Sequence, residues 1–232
     1  MKWTVRKPAV AGMFYSADRD SLKLSINRYL TDAVASTGAP KAIIVPHAGF
    51  RYSGPIAASA YHLIKKSAKQ FNKVVLIGPA HRMAFRGLAL STAKIFSTPL
   101  GDIETDQITV KKFATDHRAQ FLDKAHENEH SLEIQLPFLQ MVLDDFKIIP
   151  LLVGDAEPEF LANIIDRVWD MPSTLVVISS DLSHILITIQ HGKLTSKPLK
   201  PLSLFRPIKF NMKAHVDATR SMAYYTWHVY EI

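Results

Sequence analysis

Between residues 41 and 180 the chain alternates short apolar runs with stretches of helical period, and no other feature constrains its fold as much. Strand, helix and strand in succession build a parallel sheet, because parallel neighbours need a long crossover connection. Lys41-Ala42-Ile43-Ile44-Val45 is a buried-strand run, and Gly54-Pro55 then starts a helix whose Ile56, Ala60, Leu63 and Ile64 fall on one face. Lys73-Val74-Val75-Leu76-Ile77 is the next strand, stopped by Gly78-Pro79. Phe146 to Val153 is another, followed by a helix opening near Glu157-Pro158 with Leu161, Ile164, Ile165 and Val168 inward. Thr174-Leu175-Val176-Val177-Ile178 closes the series. Ahead of it, Leu22, Ile26, Tyr29 and Leu30 mark an amphipathic helix beginning near Asp20 or Ser21. The expected class is α/β, a single domain on a largely parallel sheet with flanking helices.

Three polar clusters follow three of these strands, and ligands of open parallel sheets bind at the carboxyl ends of the strands. They are Pro46-His47-Ala48-Gly49-Phe50, Gly78-Pro79-Ala80-His81-Arg82 and Ser179-Ser180-Asp181-Leu182-Ser183-His184. A fourth, His126-Glu127-Asn128-Glu129-His130-Ser131-Leu132-Glu133, precedes an apolar stretch. Imidazoles and a carboxylate reaching one crevice suit iron, zinc or copper. Each cluster also admits a plainer account: a loop histidine hydrogen-bonded or solvated, Asp181 capping a turn, and His126 to Glu133 as a solvated, charged helix start.

Charge excludes other classes. The 232 residues hold 28 Lys and Arg against 21 Asp and Glu, a net of +7, but residues 185–232 carry seven basic and two acidic side chains. Residues 1–184 therefore hold 21 basic against 19 acidic, a net of +2, with no basic stripe interleaved with aromatics. A nucleic-acid partner is not expected. Neither is a membrane span, which needs roughly 18 apolar residues in a row. Met1-Lys2-Trp3 leads into Arg6-Lys7-Pro8 where a secretory sequence would place its apolar stretch, and there is no Cys, so a cytoplasmic location is expected.

Five segments resemble, in order, the motif series of the Memo family, whose bacterial and archaeal members are often labelled AmmeMemoRadiSam system protein B. They are Arg6 to Tyr15 (RKPAVAGMFY), Pro46-His47-Ala48-Gly49, Gly78-Pro79-Ala80-His81, Glu129 to Phe138 (EHSLEIQLPF) and Ser179 to His184 (SSDLSH). The resemblance implies a fold similar to the class III extradiol dioxygenases, which use non-haem ferrous iron. It implies metal ligation by His47 and His81, with iron favoured and copper or zinc as alternatives. Glu129 and His130 match a wall of the site that touches substrate, and Asp181 and His184 match polar residues of the same crevice. His184, with an ordinary pKa near neutrality, is the expected proton carrier, oriented by Asp181. The expected ligand is a small molecule or peptide whose identity the sequence does not give. The companions implied are a radical-SAM protein and an Ammecr-like domain. An alternative from another class is a non-catalytic module that binds a peptide or phosphopeptide in the same crevice.

The resemblance implies a third metal ligand, a Cys in a Cys-Gly-Arg-X-Pro motif, and this chain has no Cys. Its pattern also breaks after His184, so the chain divides into an α/β domain over residues 1–184 and an aberrant segment over 185–232. Joining the last base of each codon to the first two of the next turns His215-Val216-Asp217-Ala218-Thr219-Arg220-Ser221-Met222-Ala223 into a set of peptides that includes Cys-Gly-Arg-Asn-Pro-Val-Asn-Gly. Loss of one base near codon 184 accounts for the break, the basic excess and the missing Cys together. A tail read out of frame loses the apolar period, so residues 185–232 are expected to be irregular, or swapped onto a neighbouring chain as an oligomer contact.

Overall fold

The structure, a computed structural model, describes residues 5–33 and 38–181, together with the backbone of four short strands further on. In chain order the elements are β1 (Val5–Arg6), α1 (Arg19–Thr31), β2 (Ala42–Val45), α2 (Phe50–Lys65), β3 (Lys73–Pro79), β4 (Leu88–Leu90), β5 (Ile95–Thr98) and β6 (Gly101–Glu104). They continue with α3 (Gln107–Phe113), β7 (Ala119–Phe121), α4 (Asp123–Glu127), α5 (Leu136–Val142), β8 (Lys147–Val153), α6 (Pro158–Trp169) and β9 (Thr174–Ser179).

The six-stranded sheet has the order β2-β9-β3-β8-β4-β7, parallel throughout except where β4 meets β8. Strand period 2 divides its apolar side chains between two faces. Val74 and Leu76 of β3 pack with α1, α2 and α5 on one side, while Val75 and Ile77 pack with α3 and α6 on the other. Cover on both faces explains why these strands read as unbroken apolar runs. A second sheet, β1-β5-β6, carries the N-terminal segment beside the first.

Most expected elements form within a residue or two. α1 opens one turn ahead of Leu22, because the Asp18 side chain accepts a hydrogen bond from the Ser21 N–H at 2.9 Å and caps it. α6 begins at Pro158, the first helical position, where a missing N–H costs nothing. α2 is the exception. It starts at Phe50 and buries Phe50, Gly54, Ala57, Ala58, Tyr61 and Ile64, whereas Ile56, expected inward, is 44% exposed. The inward stripe is built partly from small residues, which apolar periodicity overlooks. Gly54 lies so close to α1 that a β-carbon there would stand 2.6 Å from Cε2 of Tyr29.

The His126 to Glu133 segment is not a solvated helix start. His126, Glu129, Ser131 and Glu133 are all buried, because the segment passes under the N-terminal strand instead of facing water. Beyond residue 181, β10 (Ile189–Gln190) pairs antiparallel with β11 (Lys193–Leu194), and β12 (Met212–Asp217) with β13 (Met222–Trp227). The expectation of an irregular tail is thus corrected at these strands. A hairpin needs only local pairing, and Tyr224, Tyr225, Thr226 and Trp227 are strong strand formers. Neither hairpin joins the six-stranded sheet.

Two outcomes are expected. Gly54→Val should lower unfolding free energy by about 1–3 kcal/mol, measured by urea denaturation, because the added carbons must displace Tyr29. The second concerns His126, whose imidazole burial pushes down to about 4, against the Ala89 carbonyl it faces at 3.0 Å and with help from Arg6. An unfolded histidine takes up its proton near pH 6.5, so this group's stabilisation is complete above that pH and lost as pH falls toward 4. The melting temperature should drop across that window, less steeply in His126→Gln.

Candidate metal centre

β2, β9 and β3 are adjacent parallel strands, so the segments leaving their carboxyl ends emerge side by side. His47 lies two residues beyond β2, His81 two beyond β3, and Asp181 two beyond β9. The loop between α4 and α5 crosses this end and adds His130. The ring centroids of His47 and His81 are 5.1 Å apart, those of His47 and His130 5.6 Å, and those of His81 and His130 4.6 Å. One donor nitrogen from each ring lies within 4.8 Å of the other two.

Glu129 holds this arrangement. Its side chain is 2% exposed, and it accepts the His81 N–H on Oε2 at 2.5 Å. Oε1 accepts from Nδ1 of His81 at 2.9 Å and from the N–H groups of His130 and Ser131 at 2.9 and 3.0 Å. Burial opposes its ionisation, yet the His130 and His81 rings and these backbone donors hold the carboxyl far below the usual range. The same contact raises the pKa of His81. Its Nδ1–H is committed to Glu129, so the Nε2 of neutral His81 carries a lone pair.

His47 is buried. Burial lowers its imidazole pKa to about 4; Asp181 opposes this, while His81 and His130 reinforce it. Asp181 accepts the His47 backbone N–H at 2.8 Å, and its second oxygen lies 3.6 Å from His47 Nε2. Nδ1 of His130 is 3.1 Å from Oε1 of Glu129 but out of hydrogen-bonding alignment, leaving it the one buried side-chain polar atom among the described residues with no hydrogen bond. Phe14 meets the His130 ring edge-on, with centroids 4.9 Å apart.

Of the expected site residues, the structure brings together His47, His81, Asp181, Glu129 and His130, while His184 lies outside the described residues. Glu129 faces protein groups, and His130 joins the two expected ligands. Sequence reasoning missed the work of Glu133. It is an acceptor for the Arg6 guanidinium, for the backbone N–H groups of Ala9 and Val10 at 2.8 and 3.0 Å, and for the Tyr15 hydroxyl at 2.5 Å. It thereby folds the Arg6 to Tyr15 segment over the site. The signal was present in the four-residue spacing of Glu129 and Glu133, two carboxylates just before an apolar run. Gly78 of β3 lets the loop approach, since a β-carbon there would stand 2.8 Å from Leu132 and 3.1 Å from the Ser131 hydroxyl.

The family model for Memo-like protein matches residues 6–215. The chain belongs to the Memo family. It is 35% identical over 185 residues to the memo-1 homolog of Caenorhabditis elegans, a match covering 77% of this chain and 52% of that protein. A MEMO1 family protein of Thermotoga petrophila is 35% identical over 195 residues, covering 77% and 70% of the two chains. One of Aquifex aeolicus is 38% identical over 184 residues, covering 78% and 67%. This Memo-family chain thus spans about half the length of the nematode relative and about two thirds of the bacterial ones.

No helix of the described residues is long and apolar enough to cross a membrane. Glu129→Gln should cost about 3 kcal/mol of stability, read by denaturant titration, because an amide nitrogen would face donors that now meet a carboxylate.

Proposed function

We propose that His47, His81 and His130 hold one divalent transition metal, and that the crevice serves a non-haem metal-dependent oxidoreductase acting on a small organic molecule. The observation that carries this reading is the convergence of three imidazole donors, one of them with a buried nitrogen that makes no hydrogen bond. An unpaired polar atom in a buried site calls for an unseen partner. Imidazole with carboxylate fits iron, favoured here, with copper or zinc as alternatives. When bound, such a metal supplies Lewis-acid or redox chemistry toward a coordinated ligand.

The chain's own residues do the rest. Neutral His47 offers a lone pair, His81 offers one on Nε2 in its Nδ1–H form, Glu129 fixes the ring of His81 and the backbone of His130, and the Asp181 carboxylate beside His47 favours a cation. His184 is assigned as the proton carrier. With no cysteine in the chain, the thiolate implied by the family resemblance is missing, and His130 is the third donor.

Elemental analysis after loading with Fe(II) or Zn(II) tests the site. Metal should be lost in His47→Ala, His81→Ala and His130→Ala and kept in His184→Gln; equal content in the parent and all three alanine variants rejects it. Inserting one base at codon 184 tests the proposed frame. A restored Cys-Gly-Arg segment should raise both metal affinity and melting temperature, and equality of both would establish the present tail as native.

A second reading, a peptide or phosphopeptide module without turnover, draws support from Met13 at 72% and Tyr52 at 76% exposure. A cavity of about 250 Å³ is lined by Met13, Phe14, Phe50 and Arg51 behind the Phe14 ring that contacts His130. A phosphotyrosine peptide that raises the melting temperature in EDTA would favour it.

A further inference from the structure

His47 differs from His81 in having no carboxylate on its Nδ1. That nitrogen faces the Ser179 hydroxyl at 3.1 Å, and a hydroxyl can donate or accept. The direction of this bond decides which nitrogen of neutral His47 bears the proton, and so whether Nε2 offers a lone pair or an N–H.

The surrounding groups determine it. Ser179 Oγ stands 2.6 Å from the Ser131 carbonyl oxygen, which can only accept, so the single hydroxyl proton lies between those two oxygens. The side-chain nitrogen of Gln135 is 2.9 Å from the Pro46 carbonyl, again an acceptor only, which orients the amide. The same nitrogen then gives its second hydrogen to Ser179 Oγ at 2.9 Å, while Gln135 Oε1 accepts from the Tyr61 hydroxyl at 3.0 Å. Ser179 is left with one role toward His47, that of acceptor.

We infer that Ser179 is a positioning residue that holds His47 in the Nδ1–H form, leaving Nε2 free of hydrogen. Gln135, anchored by Tyr61 and Pro46, keeps the serine oxygen in place. Both His47 and His81 then carry their proton on Nδ1, one against a hydroxyl and the other against a carboxylate. Glu129 reaches this relay too, since it holds the Ser131 N–H while the Ser131 carbonyl takes the serine proton. Without the relay the ring is free to turn an N–H toward the donors of His81 and His130, which excludes a cation. The significance of the relay rests on the metal reading given above, and outer-shell partners of metal-bound imidazoles commonly change affinity 10–100-fold.

The test is a long-range proton–nitrogen correlation spectrum of ¹⁵N-histidine-labelled, metal-free protein in EDTA at neutral pH. In the parent, His47 should give a pyrrole-type nitrogen at Nδ1 and a pyridine-type nitrogen at Nε2. Ser179→Ala should convert His47 wholly or partly to the Nε2–H form and weaken Co(II) binding about 10–100-fold, a range set by such outer-shell effects. Ser179→Thr keeps the oxygen and should restore the parent pattern. A parent spectrum with the proton on Nε2 overturns the inference whether or not any variant folds, as does an unchanged pattern in Ser179→Ala. Because the spectrum is read without metal, failure to bind Co(II) at all would refute the metal reading and leave the tautomer assignment to be judged on the spectrum.

Discussion

An ionised carboxylate in a place almost without water must be met by donors on nearly every lone pair, and Glu129 sets that requirement at the carboxyl end of the sheet. The donors that satisfy it are the backbone N–H groups of His81, His130 and Ser131 and the ring of His81. Meeting the requirement places two imidazoles against each other and presents the Ser131 carbonyl to Ser179. The histidine cluster, the relay behind His47 and the closed loop therefore share one electrostatic cause.

Glu133 repeats the device four residues on. Glu129 ties the loop to β3, while Glu133 ties it to the N-terminal segment through Arg6, Ala9, Val10 and Tyr15. The Arg6 guanidinium also donates to the backbone carbonyls of His126 and Glu129, at 3.1 and 2.6 Å, so one cation joins the Glu133 carboxylate to the main chain of the loop. Burial and its partner Glu133 push the Tyr15 hydroxyl well above its ordinary pKa, as expected of a phenol that serves only as a donor. A segment early in the chain thus becomes the roof over residues more than a hundred positions away.

The strands were legible because both faces of the sheet are covered, so Val74 to Ile77 and Ile148 to Val153 had to be apolar throughout. α1 was legible from the spacing of Leu22 and Ile26, though not from its Asp18 cap, and α6 from Glu157-Pro158 and from Ile164 and Val168. The inward face of α2 was not, since Gly54, Ala57 and Ala58 approach α1 closely by being small and leave no apolar signal. Nor was the burial of His126 to Glu133. A charged run in sequence reads as solvated, and only partners from β1 and from the ends of β3 and β4 convert it to core.

His47, His81 and Asp181 could be placed in one crevice from sequence, because strand order in a parallel sheet brings segments after neighbouring strands together. The chain by itself determined the residue types, the strand ends that carry them, the absence of a thiolate and membership of the Memo family. Tertiary structure alone decided that His130 joins the two histidines, that Glu129 faces protein donors, and that Ser179 accepts from His47. Those outcomes depend on how many donors and acceptors meet at one buried point, a count that linear spacing cannot supply.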